Sequence, residues 1–187
     1  MKKEIEDYVT AELATELKEI ENSGRGTCSL PLSKYERAII YKYSSDGYES
    51  LNEILRNGNQ MPSFGKFLND CLIKLPNYEG ICYRSIKTTK SSLDKYYKAL
   101  EANTFIVEKG FLSCSRSKLL ALYFSNSPLF IIKSKYGKDI EKIAKFGVYG
   151  IPGQNEKEVL FRNDSKFKVL DISEEKDRIT ILLEEIQ

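Results

Sequence analysis

The spacing of apolar residues changes once along the chain, at Pro76. Up to Leu75, apolar residues recur every three or four positions, which is the pattern of amphipathic helices. After Pro76 they come in short runs, bounded by turn residues, that are typical of strands. Helices first and strands afterwards predict a fold of the α+β class.

Local signals mark the ends of several predicted elements. Ser33 and Glu36 form a capping-box pattern that opens a helix through Ile40, and Ser44–Gly47 is predicted to break that helix. The other predicted helices are 3–22, 48–56, 63–75, 93–100 and 118–124, and the predicted strands are 81–86, 104–108, 111–115, 129–133, 158–161, 167–172 and 179–186. Residues 138–155, which include three glycines, are predicted to form a loop.

The chain contains no histidine among its 187 residues. Catalysis by a Ser-His-Asp or Cys-His pair, a histidine base, and histidine-containing zinc or haem sites are therefore excluded. The 29 Lys and Arg residues nearly balance the 27 Asp and Glu residues, which leaves a formal charge of +2. That balance argues against a nucleic-acid partner, because such proteins usually carry a strongly basic face.

The cysteines and the apolar segments constrain the environment of the chain. Cys28, Cys71, Cys82 and Cys114 form no C-x-x-C pair, so we expect buried, reduced thiols. The first residues lack the apolar segment of a Sec signal peptide, and no run of 18 apolar residues occurs. We therefore expect a soluble protein without a membrane partner.

Three short segments carry side chains that can perform chemistry. Arg84 lies at the end of an apolar strand, and Ser113 and Ser115 alternate along a second one. Glu156 and Glu158 directly precede a third apolar strand. In an extended chain, residues two apart project from the same face, so the two carboxylates are predicted to point the same way. Each segment alone is a common surface pattern.

In this order and spacing, the three segments resemble the Arg, Ser-x-Ser and Glu-x-Glu motifs of mono-ADP-ribosyltransferases of the clostridial binary-toxin class. An upstream arrangement in that family, two tyrosines followed by an asparagine and a Leu-Arg pair, is matched by Tyr43, Tyr48, Asn52, Leu55 and Arg56. The resemblance covers about residues 30–187. It implies a β-core of two sheets with mixed and antiparallel strands. Because the chain lacks histidine, the diphtheria-toxin-like His-Tyr-Glu class is excluded.

The same resemblance implies how the chain is organised. We expect residues 1–187 to form a single ADP-ribosyltransferase domain. Within it, residues 1–25 form an N-terminal amphipathic helix, residues 30–76 the helical part and residues 80–187 the β-rich catalytic core. Residues 1–25 lie outside the resemblance, and their role stays open.

The resemblance implies that NAD is a substrate and that no metal takes part. Cleavage of the bond to nicotinamide places positive charge on the ribose, and a nearby carboxylate stabilises that charge. The family assigns this task to Glu158, with Ser113 holding its carboxylate and Arg84 pairing with the NAD phosphates. The other NAD-contacting residues that the resemblance implies are Tyr43, Tyr48, Asn52, Ser85 and Phe124. The aromatic residues among them are equally compatible with ordinary core packing.

Glu156 decides the acceptor in this family, where a glutamate at its position accompanies arginine as the acceptor. A carboxylate can orient a guanidinium and take a proton from it, which the high pKa of the guanidinium otherwise opposes. The resemblance further implies that residues 146–155 form a loop that recognises a protein acceptor. Its candidate contact residues are Tyr149, Gly153, Gln154 and Asn155.

The chain departs from the family pattern at two positions. Cys114 stands in the Ser-x-Ser motif where threonine is usual, which is a small change in volume. Ser127 stands where an arginine often follows the pocket aromatic by three residues, so phosphate binding can differ in detail.

Two other functions are compatible with the sequence. With water as the acceptor, the chain would be an NAD glycohydrolase. With an inactive site, it would be a binding module. The target protein and the source, whether a bacterial effector, a toxin domain or a phage, are not determined by the sequence. Delivery into a target cell by a route that uses no Sec signal also stays open.

Overall fold

The computed structural model describes residues 2–176 and 178–187. These residues form two compact units. The first unit contains the residues up to Pro76 together with Lys138–Lys157, and the second contains Asn77–Gly137 and Glu158–Gln187. The predicted combination of helices and strands is confirmed, and the assignment of residues 1–187 to one domain stays a prediction.

The first unit is built mainly from helices. They are α1 (Lys2–Glu12), α2 (Ala14–Glu21), α3 (Lys34–Lys42), α4 (Tyr48–Arg56) and α5 (Ser63–Lys74). The helix predicted over residues 3–22 is divided in two at Leu13, which is buried and has φ of −127°. That dihedral lies outside the helical region, so α2 starts anew after Leu13.

The capping box at the start of α3 is confirmed. Ser33 Oγ accepts a hydrogen bond from the Glu36 backbone N–H at 3.3 Å, and the Glu36 carboxylate accepts one from Ser33 N at 2.8 Å. The predicted break at residues 44–47 is wrong, because Tyr43–Gly47 forms a π-helical turn that leads directly into α4. Gly47 allows this turn to pack, since a Cβ there would lie 3.0 Å from an atom of the Phe64 ring.

The remaining elements alternate between short helices and strands. They are β1 (Tyr78–Ser85), α6 (Lys90–Glu101), β2 (Phe105–Glu108), β3 (Leu112–Ser115), α7 (Lys118–Phe124), β4 (Leu129–Asp139), β5 (Glu158–Phe161), β6 (Ser165–Glu175) and β7 (Arg178–Ile186). Each predicted strand is present, and β4 continues to Asp139, well beyond its predicted end at Lys133.

The strands form one sheet, so the two-sheet arrangement implied by the resemblance is not confirmed. The order within the described residues is β1-β3-β5-β4-β7-β6-β2, and β1 also pairs with β4. β1, β3, β5 and β4 therefore close into a small barrel within the sheet. β4 joins this barrel to the remaining strands, β7, β6 and β2. Its residues 129–133 pair with β1 on one side and, in parallel, with β7 on the other. The mixed character of the sheet is confirmed.

One apolar cluster forms the core of the second unit and holds the strands in register. Its members include Cys82, Tyr96, Cys114, Phe130, Ile132, Val159, Phe161, Phe167, Ile181 and Leu183. The chain's four cysteines all lie within the described residues, are buried and form no disulfide, as expected. None of the described helices has the length and apolar character needed to cross a bilayer.

Candidate active site

β3 and β5 place serine and glutamate side chains on one face of the sheet. Ser115 lies opposite Glu158 in the register of these strands, and Cys114 lies opposite Val159. Directly opposed residues project from the same face, and neighbours along a strand project from opposite faces. Since Cys114 and Val159 belong to the core, Ser113, Ser115 and Glu158 project from the other face.

Glu158 is held in place by the residues that follow it on β5. Its side chain is largely removed from solvent, with 5% of its surface exposed. Val159 and Phe161 are fully buried in the core, so the strand that carries Glu158 cannot shift without disrupting that packing. A carboxylate in such surroundings interacts more strongly with nearby charge than one in water does.

Arg84, on β1, is positioned by the adjacent strand β3. Its Nη1 donates a hydrogen bond to the Ser113 carbonyl oxygen at 2.6 Å. The adjacent residue, Tyr83, pairs with Ser115 across β1 and β3. The planar guanidinium, a group suited to binding phosphate, is therefore held at the strand that carries both serines.

Ser115 is a candidate that the sequence analysis did not assign. The register places Ser115, and not Ser113, directly opposite Glu158, while Ser113 lies opposite Leu160. Ser115 Oγ also accepts a hydrogen bond from Ser117 N at 3.0 Å, which shapes the turn into α7. The sequence feature that could have indicated Ser115 is its place as the second serine of the Ser-x-Ser pattern. The role of Ser113 as the residue that holds the Glu158 carboxylate stays a prediction.

Two other predicted NAD-contacting residues of the second unit, Ser85 and Phe124, differ from each other in burial. Ser85 is buried, and its Oγ donates to the Pro128 carbonyl at 2.7 Å, which ties the end of β1 to the start of β4. Phe124 ends α7 with 55% of its surface exposed and contacts Tyr123 edge-to-face. Phe124 is thus available to a ligand and does not pack as an ordinary core residue.

The helical candidates form a connected group in the first unit. Tyr43 and Asn52 are buried, and Asn52 Nδ2 donates to Tyr43 Oη at 3.1 Å. The Tyr48 ring lies 6.4 Å from the Tyr43 ring and remains 42% exposed. Tyr48 Oη donates to the Glu49 carboxylate at 3.1 Å. Of these three residues, Tyr48 offers the most surface to a ligand.

Residues 146–156, here called the 146–156 loop, are closed at their base by backbone hydrogen bonds. Glu156 N donates to the Phe146 carbonyl at 2.8 Å, and Val148 N donates to the Glu141 carbonyl at 3.0 Å. Gly147 passes so close that a Cβ would lie 1.9 Å from Glu141 O. Between these anchor points the loop exposes an apolar edge that consists of Val148, Tyr149 and Ile151.

Asn155 organises the turn between Glu156 and β5. Its Oδ1 accepts from Lys157 N at 2.9 Å, and its Nδ2 donates to Glu141 Oε1 at 2.7 Å. Lys157 has a φ of +52°, and β5 starts only at Glu158. The chain is therefore not extended through residues 156–158, and the prediction that both carboxylates project from one face of an extended strand is wrong. Gly153 also has a positive φ, +84°, and Gln154 is exposed.

Glu156 lies in surroundings that disfavour its charge. Burial raises the pKa of this carboxyl above its ordinary value. The pKa of Tyr48 is raised by partial burial, by Glu49 and also by the charge of Glu156. A guanidinium entering this region would stabilise the ionised form of the Glu156 carboxylate.

Replacing Glu156 by glutamine is expected to raise the thermal midpoint at pH 7. Because the folded-state pKa is raised, the carboxyl contributes stability below its unfolded pKa, and that contribution is lost as the pH rises through the folded value. Thermal unfolding of both proteins between pH 4 and pH 8 would measure this. A variant less stable than the wild type at pH 7 would contradict the expectation.

The structure thus places the predicted residues in two groups. The second unit holds Arg84, Ser85, Ser113, Phe124 and Glu158, and the first unit holds Tyr43, Tyr48, Asn52, Tyr149, Gly153, Gln154, Asn155 and Glu156. In the second unit, a guanidinium suited to phosphate lies on β1 and a buried carboxylate suited to positive charge lies on β5, and both strands pair with β3. Within the described part of the chain, no group of three or more Cys, Asp or Glu side chains is arranged to hold a metal ion.

Comparisons with known proteins agree with this arrangement. The profile of a family described as NAD:arginine ADP-ribosyltransferase matches residues 11–187. Mav of Mycobacterium avium (strain 104), provisionally named as an NAD(+)–arginine ADP-ribosyltransferase, is 30% identical over 145 residues, which are 75% of this chain and 16% of Mav. Tre1 of Serratia proteamaculans (strain 568), named as an NAD(+)–protein-arginine ADP-ribosyltransferase, is 26% identical over 79% of this chain and 31% of Tre1. The chain thus spans less than a third of either relative.

Among solved structures, the fold is similar to that of Exoenzyme S from Pseudomonas aeruginosa. The TM-score is 0.78 at 18% sequence identity, over 98% of this chain and 88% of that one. That structure is a complex with human 14-3-3 protein beta, bound to carba-NAD.

Proposed function

Because the chain belongs to the NAD:arginine ADP-ribosyltransferase family, we propose that it transfers ADP-ribose from NAD to an arginine side chain of a protein. The resemblance to mono-ADP-ribosyltransferases is confirmed by the same family match. The observation that supports the activity most directly is the buried carboxylate of Glu158, on the strand next to the two serines and Arg84.

The proposed reaction breaks the bond between C1′ of the ribose and the nicotinamide nitrogen. The electron pair of that bond stays on nicotinamide, which leaves as a neutral molecule, and C1′ acquires positive charge. Glu158 stabilises this charge and holds the ribose through the 2′-hydroxyl. Arg84 pairs with the phosphates, Ser113 holds Glu158, and the exposed ring of Phe124 packs against nicotinamide.

The acceptor nitrogen then bonds to C1′, and its proton passes to Glu156. A protonated guanidinium has no free electron pair for attack, so the reaction needs a base at this point. The raised pKa of Glu156 supports this role, because a more basic carboxylate takes up a proton more readily. Tyr48, whose pKa is raised in part by the charge of Glu156, would line the acceptor's path, while Tyr149 and its apolar neighbours would contact the acceptor protein.

The experiment that tests the proposal is incubation of the protein with labelled NAD and either agmatine, a small guanidinium compound, or a cell lysate. Mass spectrometry would identify modified arginines. NAD consumption without any labelled acceptor would instead make the chain an NAD glycohydrolase, and no consumption would make it an inactive relative.

NAD is expected to stabilise the protein against heat. At a concentration of 100 times its Kd, a ligand that binds only the folded state adds about 2.7 kcal/mol, or about 5–10 °C in the midpoint. Differential scanning fluorimetry measures this shift. In an Arg84→Ala variant we expect less than half of it, whereas a Glu184→Gln variant on β7 serves as a control with the full shift. No shift in the wild type at millimolar NAD would favour an inactive relative.

We also propose that the protein acts in the cytoplasm of a target cell after delivery. The likeness in fold to an exoenzyme supports this. The acceptor protein would be identified from the lysate labelling described above.

A further inference from the structure

The segment that precedes α3 reaches the base of the 146–156 loop through Arg25. This arginine has only 4% of its surface exposed. Its Nε donates to the Ile143 carbonyl at 3.1 Å, and its Nη2 donates to the Ala144 carbonyl at 3.2 Å and to the Lys145 carbonyl at 3.1 Å. Hydrogen bonds from a cationic donor are stronger than neutral ones, and one guanidinium here holds three consecutive residues.

Those three carbonyls come directly before the 146–156 loop. Lys145 is followed by Phe146, whose carbonyl accepts the hydrogen bond from Glu156 N at 2.8 Å. Arg25 is therefore connected to the backbone of Glu156 through two hydrogen bonds and the Lys145–Phe146 peptide bond that lies between them. A shift of residues 143–145 would move Phe146 and, with it, Glu156.

Residues of α3 and of the π-helical turn complete this base. Lys145 N donates to Ser44 Oγ at 2.8 Å, and Lys145 Nζ donates to Tyr41 Oη at 2.9 Å. The Arg25 guanidinium lies 5.1 Å from the centre of the Tyr41 ring, within the range of a cation–π contact. Arg37 in turn donates to the Arg25 carbonyl at 2.7 Å. Arg25 is thus held through its side chain and through its backbone carbonyl.

Gly24 makes a second contact with the same loop. The Tyr149 ring lies directly against it, so that a Cβ at residue 24 would come within 2.3 Å of Tyr149 Cε1. Real Cβ atoms do not approach a ring this closely, and any side chain at residue 24 would displace Tyr149. The segment around Arg25 therefore contacts the loop both at its base and at its exposed aromatic residue, Tyr149.

We propose that Arg25, assisted by Gly24, is a positioning residue for the acceptor side of the reaction: it holds the 146–156 loop so that Glu156 meets the incoming guanidinium. The proposal rests on the proposed arginine transfer. The N-terminal segment would then help to determine whether arginine or water accepts the ADP-ribose. NAD cleavage, which we assign to Glu158, Arg84 and Ser113 of the second unit, does not depend on Arg25.

The test compares Arg25→Lys and Gly24→Ala with the wild type, using NAD with and without agmatine. Lysine keeps the charge but cannot span three carbonyls as the guanidinium does. A misplacement of about 1 Å can cost up to about 100-fold in rate, so we expect kcat/KM for agmatine to fall at least about tenfold in Arg25→Lys. NAD hydrolysis without agmatine, and KM for NAD, are expected to stay within about twofold.

Gly65→Ala provides the matched control. A Cβ at residue 65 would press on Leu51 and Met61 at 2.9 Å, in the same unit but at neither Arg25 nor the loop. It should lower the thermal midpoint as Gly24→Ala does and leave the ratio of transfer to hydrolysis unchanged. A parallel loss of transfer and hydrolysis in Arg25→Lys, or no change in either, would overturn the proposal.

Amide hydrogen exchange separates this proposal from the proposed function. In Arg25→Lys we expect faster exchange within residues 143–156 and unchanged exchange in β3 and β5. Unchanged exchange in the loop would overturn the positioning role whatever the activity. A wild-type protein that modifies no guanidinium would overturn the proposed function alone, and the exchange result would then decide whether Arg25 positions the loop.

Discussion

Replacing Glu158 by glutamine is expected to lower both ADP-ribose transfer and NAD hydrolysis by at least about 100-fold. Both reactions pass through the same positively charged ribose, and glutamine keeps the size of the side chain but removes its negative charge. Since Glu158 is almost fully buried, no other position of the side chain and no bulk water can replace that charge. Release of nicotinamide, with and without agmatine, measures the two rates.

A matched control distinguishes the effect of losing the Glu158 charge from the effect of losing folded structure. Glu184 lies on β7, where its carboxylate contacts Lys133 and Lys135, and Glu184→Gln also removes one carboxylate from the sheet. We expect this variant to keep both activities within about twofold, because surface ion pairs contribute little. If Glu158→Gln kept hydrolysis while its fold was intact, the stabilising carboxylate would have to be another residue.

Replacing Glu156 by glutamine is expected to lower transfer to agmatine by at least about 100-fold and to leave NAD hydrolysis within about threefold. An amide cannot take the proton that the guanidinium must lose, whereas water attacks the charged ribose without that base. The ratio of labelled agmatine to free ADP-ribose, measured in one reaction, gives the partition directly. Equal losses of both products would show that Glu156 serves NAD cleavage and not the acceptor.

The pH dependence provides a second measure of the same role. Burial raises the pKa of Glu156, and only its ionised form acts as a base. Transfer should therefore fall as the pH drops through that raised value, at a higher pH than an ordinary glutamate would give. Hydrolysis should not follow the same curve. A transfer profile identical to the hydrolysis profile would contradict the assignment.

Local sequence signals predicted most of the elements correctly. The capping box at Ser33 needs only two residues three positions apart, Ser33 and Glu36, and the strand that begins at Glu158 is marked by three consecutive apolar residues. The interruptions between helices were harder to predict. The residues Ser44–Gly47 favour a turn by composition, yet close packing of Phe64 on Gly47 accommodates a π-helical turn there.

Contacts between residues distant in sequence could not be predicted in the same way. The place of Ser115 opposite Glu158 depends on strand register, and the joining of the strands into one sheet depends on the pairing of β4 with β1 on one side and with β7 on the other. The left-handed backbone at Lys157 depends on the turn that Asn155 forms, so alternation alone placed Glu156 and Glu158 on one face incorrectly.

The family and the candidate carboxylates could be predicted from the order and spacing of three short motifs, and the fold class from the local periodicity of apolar residues. How each carboxylate is held depends on contacts that form only in the folded chain. Glu158 is fixed by the burial of Val159 and Phe161, and Glu156 by a loop whose base Arg25 binds across 118 to 120 positions of the chain. Hydrogen bonds over such separations form only when folding brings the groups together, and no local pattern records them.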